Sequence, residues 1–254
     1  MPEDERTPRA ADVTSASGEA GRASEWLALL EAGDVEVEGR MPWSSNATLL
    51  VTVRLAGRVT RAVYKPGAGE QPLWDFPDGL FRREVAAYEL SVATGLDVVP
   101  ETVLRAEAPY GVGSLQRFVD ADFSQHYFTL LDEARHGEAL RRVAGFDLLV
   151  NNADRKGGHV LLGSDGHIWG IDNGLCFHPA PKLRTVMWDF VGEEVPCAVL
   201  EACEAVVREV PPRLGPLLAS EEVDGLVRRA VDLLETPRFP EPDLEGRPYP
   251  WPLV

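Results

Sequence analysis

The stretch Phe146–Phe177 reads FDLLVNNADRKGGHVLLGSDGHIWGIDNGLCF, and the fold turns on it. An apolar segment, Phe146 to Val150, enters a polar loop from Asn151 to His159. Two short apolar runs follow, Val160–Leu162 and His167–Ile171, separated by the turn-rich tetrapeptide Gly163-Ser164-Asp165-Gly166. The pattern predicts helix, loop, strand, hairpin, strand. A hairpin folds its two ends together, so Asp154 before it and Asp172 after it are expected side by side at one rim.

Two acids brought to one point suit phosphoryl transfer. One carboxylate can orient an attacking hydroxyl and take its proton, while the other holds a magnesium ion that bridges nucleotide phosphates. The Gly157–Gly158 pair lets the loop backbone turn sharply. On spacing alone, a surface hairpin with ordinary turn aspartates explains the pattern equally well.

Around these acids the sequence resembles the phosphatidylinositol 3-/4-kinase superfamily, which has a protein-kinase-like fold. The likeness is closest to the type II and plant gamma-type phosphatidylinositol 4-kinases, with this chain as a small bacterial-type member. Their catalytic loop has the form D-R-x-x-x-N and their metal acid lies in I-D-[FHN]-G. The matching segments here are Asp154-Arg155-Lys156-Gly157-Gly158-His159 and Ile171-Asp172-Asn173-Gly174. Upstream, Val63-Tyr64-Lys65-Pro66 is similar to the strand bearing the nucleotide lysine, Arg83-Glu84-Val85-Ala86-Ala87-Tyr88 to helix C, and Val99-Pro100-Glu101-Thr102 to the strand after it. The blocks keep the family's order.

The resemblance implies an α+β, two-lobed protein-kinase-like fold with an antiparallel-sheet N-lobe and a mainly helical C-lobe. It implies ATP and Mg2+ as cofactors, with Mn2+ a further possibility. It makes Asp154 the catalytic aspartate that orients the acceptor hydroxyl, Asp172 the metal-binding aspartate, and Lys65 the lysine on the nucleotide phosphates, with Glu84 fixing it. Ser44 and Ser45 stand where such a fold covers the phosphates, although the Gly-rich signature is absent. Gln116 and Phe118 stand where the strand enters the hinge that reads adenine. The chain departs from the pattern at His159, five residues after Asp154, where the family has a metal-binding Asn. Imidazole suits manganese or zinc better than magnesium, so His159 is expected either to ligate metal or to brace the loop. Lys156 also replaces a common His.

The expected organisation is a disordered tail over 1–24 and one kinase-like domain over 25–254. Within it the N-lobe spans about 25–115, the hinge about 116–121, the C-lobe about 122–236, and a Pro-rich tail 237–254, with Trp251 and Leu253 as candidate tethers. Leu80 to Thr94 reads as a helix with Phe81, Val85, Tyr88 and Val92 inward. Trp74 and Phe76, in the loop ahead of it, are read as a hydrophobic plug or a substrate lid. Lys182 and Arg184 are candidate holders of an anionic acceptor, or solvated bases. His126 and His136 are expected at the surface, and Cys176, Cys197 and Cys203 as small core residues.

The net charge of −16 argues against nucleic acid as a partner and offers no polybasic membrane anchor. No apolar run approaches a membrane span, and Pro2 to Glu25 is polar throughout. The expected setting is cytoplasmic, with a nucleotide and a hydroxyl acceptor (lipid, protein or small molecule) as partners. Two function classes follow: an ATP-dependent phosphotransferase, or a nucleotide-binding pseudokinase that regulates without turnover.

Overall fold

The computed structural model describes residues 23–42 and 46–254. The tail expected over 1–24 and the candidates Ser44 and Ser45 lie outside the described residues, except that the first helix, α1, takes in 23 and 24 and runs over 23–32.

The fold is α+β and two-lobed. The N-lobe is a five-stranded antiparallel sheet of β1 (Asp34–Arg40), β2 (Leu49–Leu55), β3 (Arg58–Pro66), β4 (Thr102–Arg105) and β5 (Gly113–Arg117). Their spatial order is β1-β2-β3-β5-β4. Alternation of apolar and polar side chains makes these strands: Val51 and Val53 of β2 and Ala62 and Tyr64 of β3 are buried on one face. They pack with Leu29 and Leu30 of α1. Strand β3 lies against β5 with Lys65 opposite Ser114 and Pro66 opposite Gly113. A Cβ on Gly113 would sit 2.4 Å from the Lys65 carbonyl oxygen, so only glycine lets β5 run this close to the end of β3.

Helix α2 (Leu80–Ala93) fills the crossover from β3 to β4. Its first turn is capped from outside the helix: Glu70 accepts the Gly79 amide at 2.9 Å and the Phe81 amide at 2.7 Å. Its apolar face packs downward. Ala86, Ala87, Tyr88 and Leu90 belong to the same buried cluster as Phe146, Leu149, Val199 and Leu226 of the C-lobe. Val92 departs from the expected inward set and is exposed.

The C-lobe contains α3 (Tyr127–Leu131), α4 (Gly137–Val150), the hairpin β6 (Val160–Leu162) and β7 (Ile168–Gly170), α5 (Cys197–Arg208) and α6 (Ser220–Glu235). No helix among the described residues is long and apolar enough to cross a membrane.

Several surface expectations change. His136 is buried, because the turn at Ala134–His136 folds under α4. Cys176 and Cys203 lie in the core, whereas Cys197, the first residue of α5, is exposed. In the C-terminal segment the Leu253 carbonyl accepts the Gly157 amide at 2.7 Å, while the Trp251 side chain is exposed to solvent.

Candidate functional site

The site forms where β3, α2 and the β6–β7 hairpin converge. Strand β3 delivers Lys65, and its ammonium lies between the Glu84 carboxylate of α2 and Asp172, whose Oδ1 is 2.6 Å away. The Glu84 contact is a short ion pair, and Glu84 also accepts the Asn173 amide at 2.9 Å. One buried carboxylate thus grips both the strand lysine and the backbone beside Asp172. Glu89 takes no part and pairs with Arg213.

Burial alone would lower the Lys65 pKa, but Asp172 and Glu84 overcome it and raise it above its ordinary value. Burial lifts the Glu84 carboxyl above its ordinary value against the pull of Lys65. At Asp172 burial again pushes upward, but the Lys65 ammonium outweighs it and holds the carboxyl well below the usual range. Asp172 is therefore an anion at every working pH, and half its side chain is open.

Asp172 also has φ 59°, in the left-handed region. Such backbone costs about 1 kcal/mol even for an aspartate and persists only where neighbours hold it. The neighbours here are Asn173, fixed by Glu84, and Arg155, whose guanidinium donates to the Ile171 carbonyl and to Asn173 Oδ1 at 2.7 Å.

Asp154 sits in the loop after α4. Its amide donates to Asn152 Oδ1 at 2.9 Å, and its carboxylate pairs with Lys156 at 3.0 Å. Burial raises its pKa; Lys156 offsets part of that, and the nearby Asp172 charge adds to it. A carboxyl with a raised pKa is a better proton acceptor than an ordinary surface aspartate.

His159 Nδ1 lies 3.0 Å from the Asp154 carbonyl oxygen and 3.4 Å from the Lys156 amide. The first contact forms with the ring proton on Nδ1 and the second with Nδ1 as acceptor. The other ring nitrogen, Nε2, faces Asp172 Oδ2 at 3.4 Å. Burial pulls the His159 pKa down to about 4 despite the opposing effect of Asp172, so the ring is neutral near pH 7. Nε2 of His159 and the Asp172 carboxylate are the side-chain groups here that could hold a divalent metal, and an imidazole in the pair suits manganese or zinc better than magnesium. Among the described residues no group of three or more His, Cys, Asp or Glu side chains makes a complete metal cage.

The hinge candidates have local partners. The Gln116 side chain is buried and donates to Thr102 Oγ1 at 2.8 Å. The Phe118 amide donates to the Arg61 carbonyl at 3.2 Å, and its ring meets Phe123 at 5.9 Å. Lys182 and Arg184 are neither solvated nor free. Both pair with Asp75, at 3.1 and 3.2 Å, and the two cations lower the Asp75 carboxyl against the effect of its burial. Phe76 is the buried plug, against Leu80 and Ala153, while Trp74 beside it is exposed.

Sequence reasoning missed Asp147. It accepts from Arg155 Nε and Nη2, each at 2.9 Å, and from the Asn152 side-chain amide at 3.0 Å. A signal existed: Asp147 lies four residues after Val143 and three before Val150, inside the apolar stripe of α4. A carboxylate there has to be paired.

An antiparallel sheet of order β1-β2-β3-β5-β4 over a helical lobe, with a strand lysine bridged to a helix glutamate, places the chain among two-lobed kinase-like folds. By sequence it is 40% identical over 263 residues to protein Rv2133c of Mycobacterium tuberculosis (strain ATCC 25618 / H37Rv), covering 89% of this chain and 94% of the relative. The chain belongs to the family of that protein. No model of a known protein family matches it. Among solved structures it is similar to the Helicobacter pylori proinflammatory kinase CtkA, at 12% identity and a TM-score of 0.42 over 82% of this chain and 94% of that one.

Proposed function

We propose that the protein is an ATP-dependent phosphotransferase acting on an alcohol acceptor. The observation that carries this reading is the Lys65 ammonium held between Glu84 and Asp172. A lysine fixed by a helix carboxylate beside an ionised aspartate is the arrangement that grips nucleotide phosphates and their metal. Lys65 binds the phosphates and Glu84 keeps it in place. Asp172 and His159 are the residues that would hold a divalent ion, which would neutralise phosphate charge when bound. Asp154 orients the acceptor hydroxyl and takes its proton, and Lys156 beside it offsets charge on the transferred group. Gln116 and Phe118 border the adenine side. The resemblance to phosphatidylinositol kinases makes an inositol lipid one candidate acceptor, and a protein or small-molecule hydroxyl serves the same geometry.

The test is nucleotide binding and phosphate transfer from ATP, with magnesium or manganese, to lipids, to lysate proteins and to the protein itself. Asp172→Asn is expected to weaken metal-dependent nucleotide binding. Asp154→Asn is expected to keep binding and to lower turnover by at least about a hundredfold, the usual size of a lost general base. Metal-dependent binding with no transfer to any acceptor would show a nucleotide-binding regulator. Equal loss of affinity in both variants would remove the division of labour.

A further inference from the structure

Arg155 and Asp147 are sealed from solvent, with side chains 0% and 1% exposed, yet they connect to both acids of the cleft. On one branch, Asp147 Oδ1 accepts the Asn152 side-chain amide at 3.0 Å, and Asn152 Oδ1 accepts the Asp154 amide at 2.9 Å. On the other, Arg155 reaches around Asp172. It donates to the carbonyl of Ile171 before that residue and to Asn173 Oδ1 at 2.7 Å after it. Asn173 in turn donates to the Gly170 carbonyl at 3.1 Å. Asp172 is the residue in the left-handed region between those two anchors. A third donation, to the His159 carbonyl at 3.4 Å, reaches the loop end opposite Asp172.

We infer that the Asp147–Arg155 pair is a positioning device that sets Asp154 and Asp172 from one buried node, through Asn152 to the first and through Asn173 to the second. This rests on the phosphotransferase reading of the cleft and adds to it which residues outside the cleft fix the two acids. A node of this kind suits the planar guanidinium. Five donors in one rigid fork can serve several acceptors at fixed angles, which an ammonium cannot do. The pair does more than hold α4 to the loop, because its two branches end at different chemical tasks and can be cut separately.

Asn173→Ala cuts the branch to Asp172, and Asn152→Ala cuts the branch to Asp154. Neither asparagine is assigned a contact with nucleotide or acceptor. The measurements are manganese-ATP binding by titration and turnover at saturating nucleotide, with melting curves as the check on folding. Asn173→Ala is expected to weaken manganese-ATP binding about tenfold or more with turnover at saturation nearly unchanged. Asn152→Ala is expected to keep binding within about twofold and to lower saturated turnover about tenfold or more, tenfold being about 1.4 kcal/mol. Arg155→Lys, which keeps the charge and loses the fork, is expected to show both defects. Should an alanine variant fail to fold, serine at the same position cuts the branch with a smaller change of polarity. Both asparagine variants losing the same parameter, or neither losing any, overturns the positioning node while leaving the phosphotransferase reading intact. Wild-type protein that binds no manganese-ATP overturns that reading and the node with it.

Discussion

Two ion clusters lie side by side in the fold and behave as opposites. Lys65, Glu84 and Asp172 join strand, helix and hairpin at the mouth between the lobes, and Asp172 is half open to solvent. Asp147 and Arg155 lie buried behind that mouth. The open cluster has a carboxylate whose partners can be exchanged for a metal or a phosphate. The sealed one has no room for exchange, so its charge serves geometry. Burying charge is costly, and a sealed pair is tolerated only when every donor is answered. Arg155 meets that condition through Asp147, Asn173 and two carbonyls.

Mutations that break each cluster are therefore expected to separate stability from binding. The largest stability effect belongs to Arg155→Met, which leaves the Asp147 carboxylate buried without its cation. The expected loss is about 3–5 kcal/mol, read as a shift in urea midpoint. A loss under about 1 kcal/mol would mean that water reaches Asp147 and that the cluster is not sealed.

Next in size is the pH response of His159. Its folded pKa of about 4 lies below the unfolded value near 6.5. Between these values the unfolded chain binds more protons, so stability is full above about 6.5 and falls as pH drops toward about 4. The full loss amounts to about 3 kcal/mol, and His159→Asn should remove that share of the acid limb. Parallel urea titrations of both proteins from pH 7.5 down to 4.5 measure it, and identical slopes would reject a neutral buried ring.

Lys65→Met comes third. Glu84 loses its cation, but burial already holds its carboxyl above the ordinary range, so it can take up a proton. The expected cost is about 1–3 kcal/mol, together with loss of nucleotide affinity. Reduced stability with unchanged ATP binding would assign Lys65 to the structure alone. The smallest effect is expected for Arg213→Ala, which breaks the Glu89 pair at the surface. It should change stability by less than about 1 kcal/mol.

The parts of the molecule legible in the sequence are those with a local period or an ordered set of motifs. The alternation in β1 to β3, the helical spacing of α2 and α4, and the order of Lys65, Glu84, Asp154 and Asp172 all survive in the fold. What was illegible is pairing at a distance. Arg83 of α2 is bonded to Glu222 of α6, 139 residues away, and both are buried. Lys182 and Arg184 find Asp75 more than 100 residues back. In the sequence these are single charged residues with no marker of their partners, and only the packing decides which meet. His136 was misread for the same reason, since its neighbours Arg135 and Gly137 give no apolar signal.

The buried Arg83–Glu222 bond and the downward-packed face of α2 affect how the molecule opens. Helix α2 lies between β3 and β4 in the chain and packs on β4 and β5, but its Ala86–Leu90 stretch also joins the buried cluster of the helical lobe. Cooperative opening units follow packing rather than chain order. In amide hydrogen exchange, the backbone amides of Ala86 to Leu90 should therefore open with α4 and α6, more slowly than those of β1 and β2. A denaturant series that loosens β1 and β2 would leave α2 still protected.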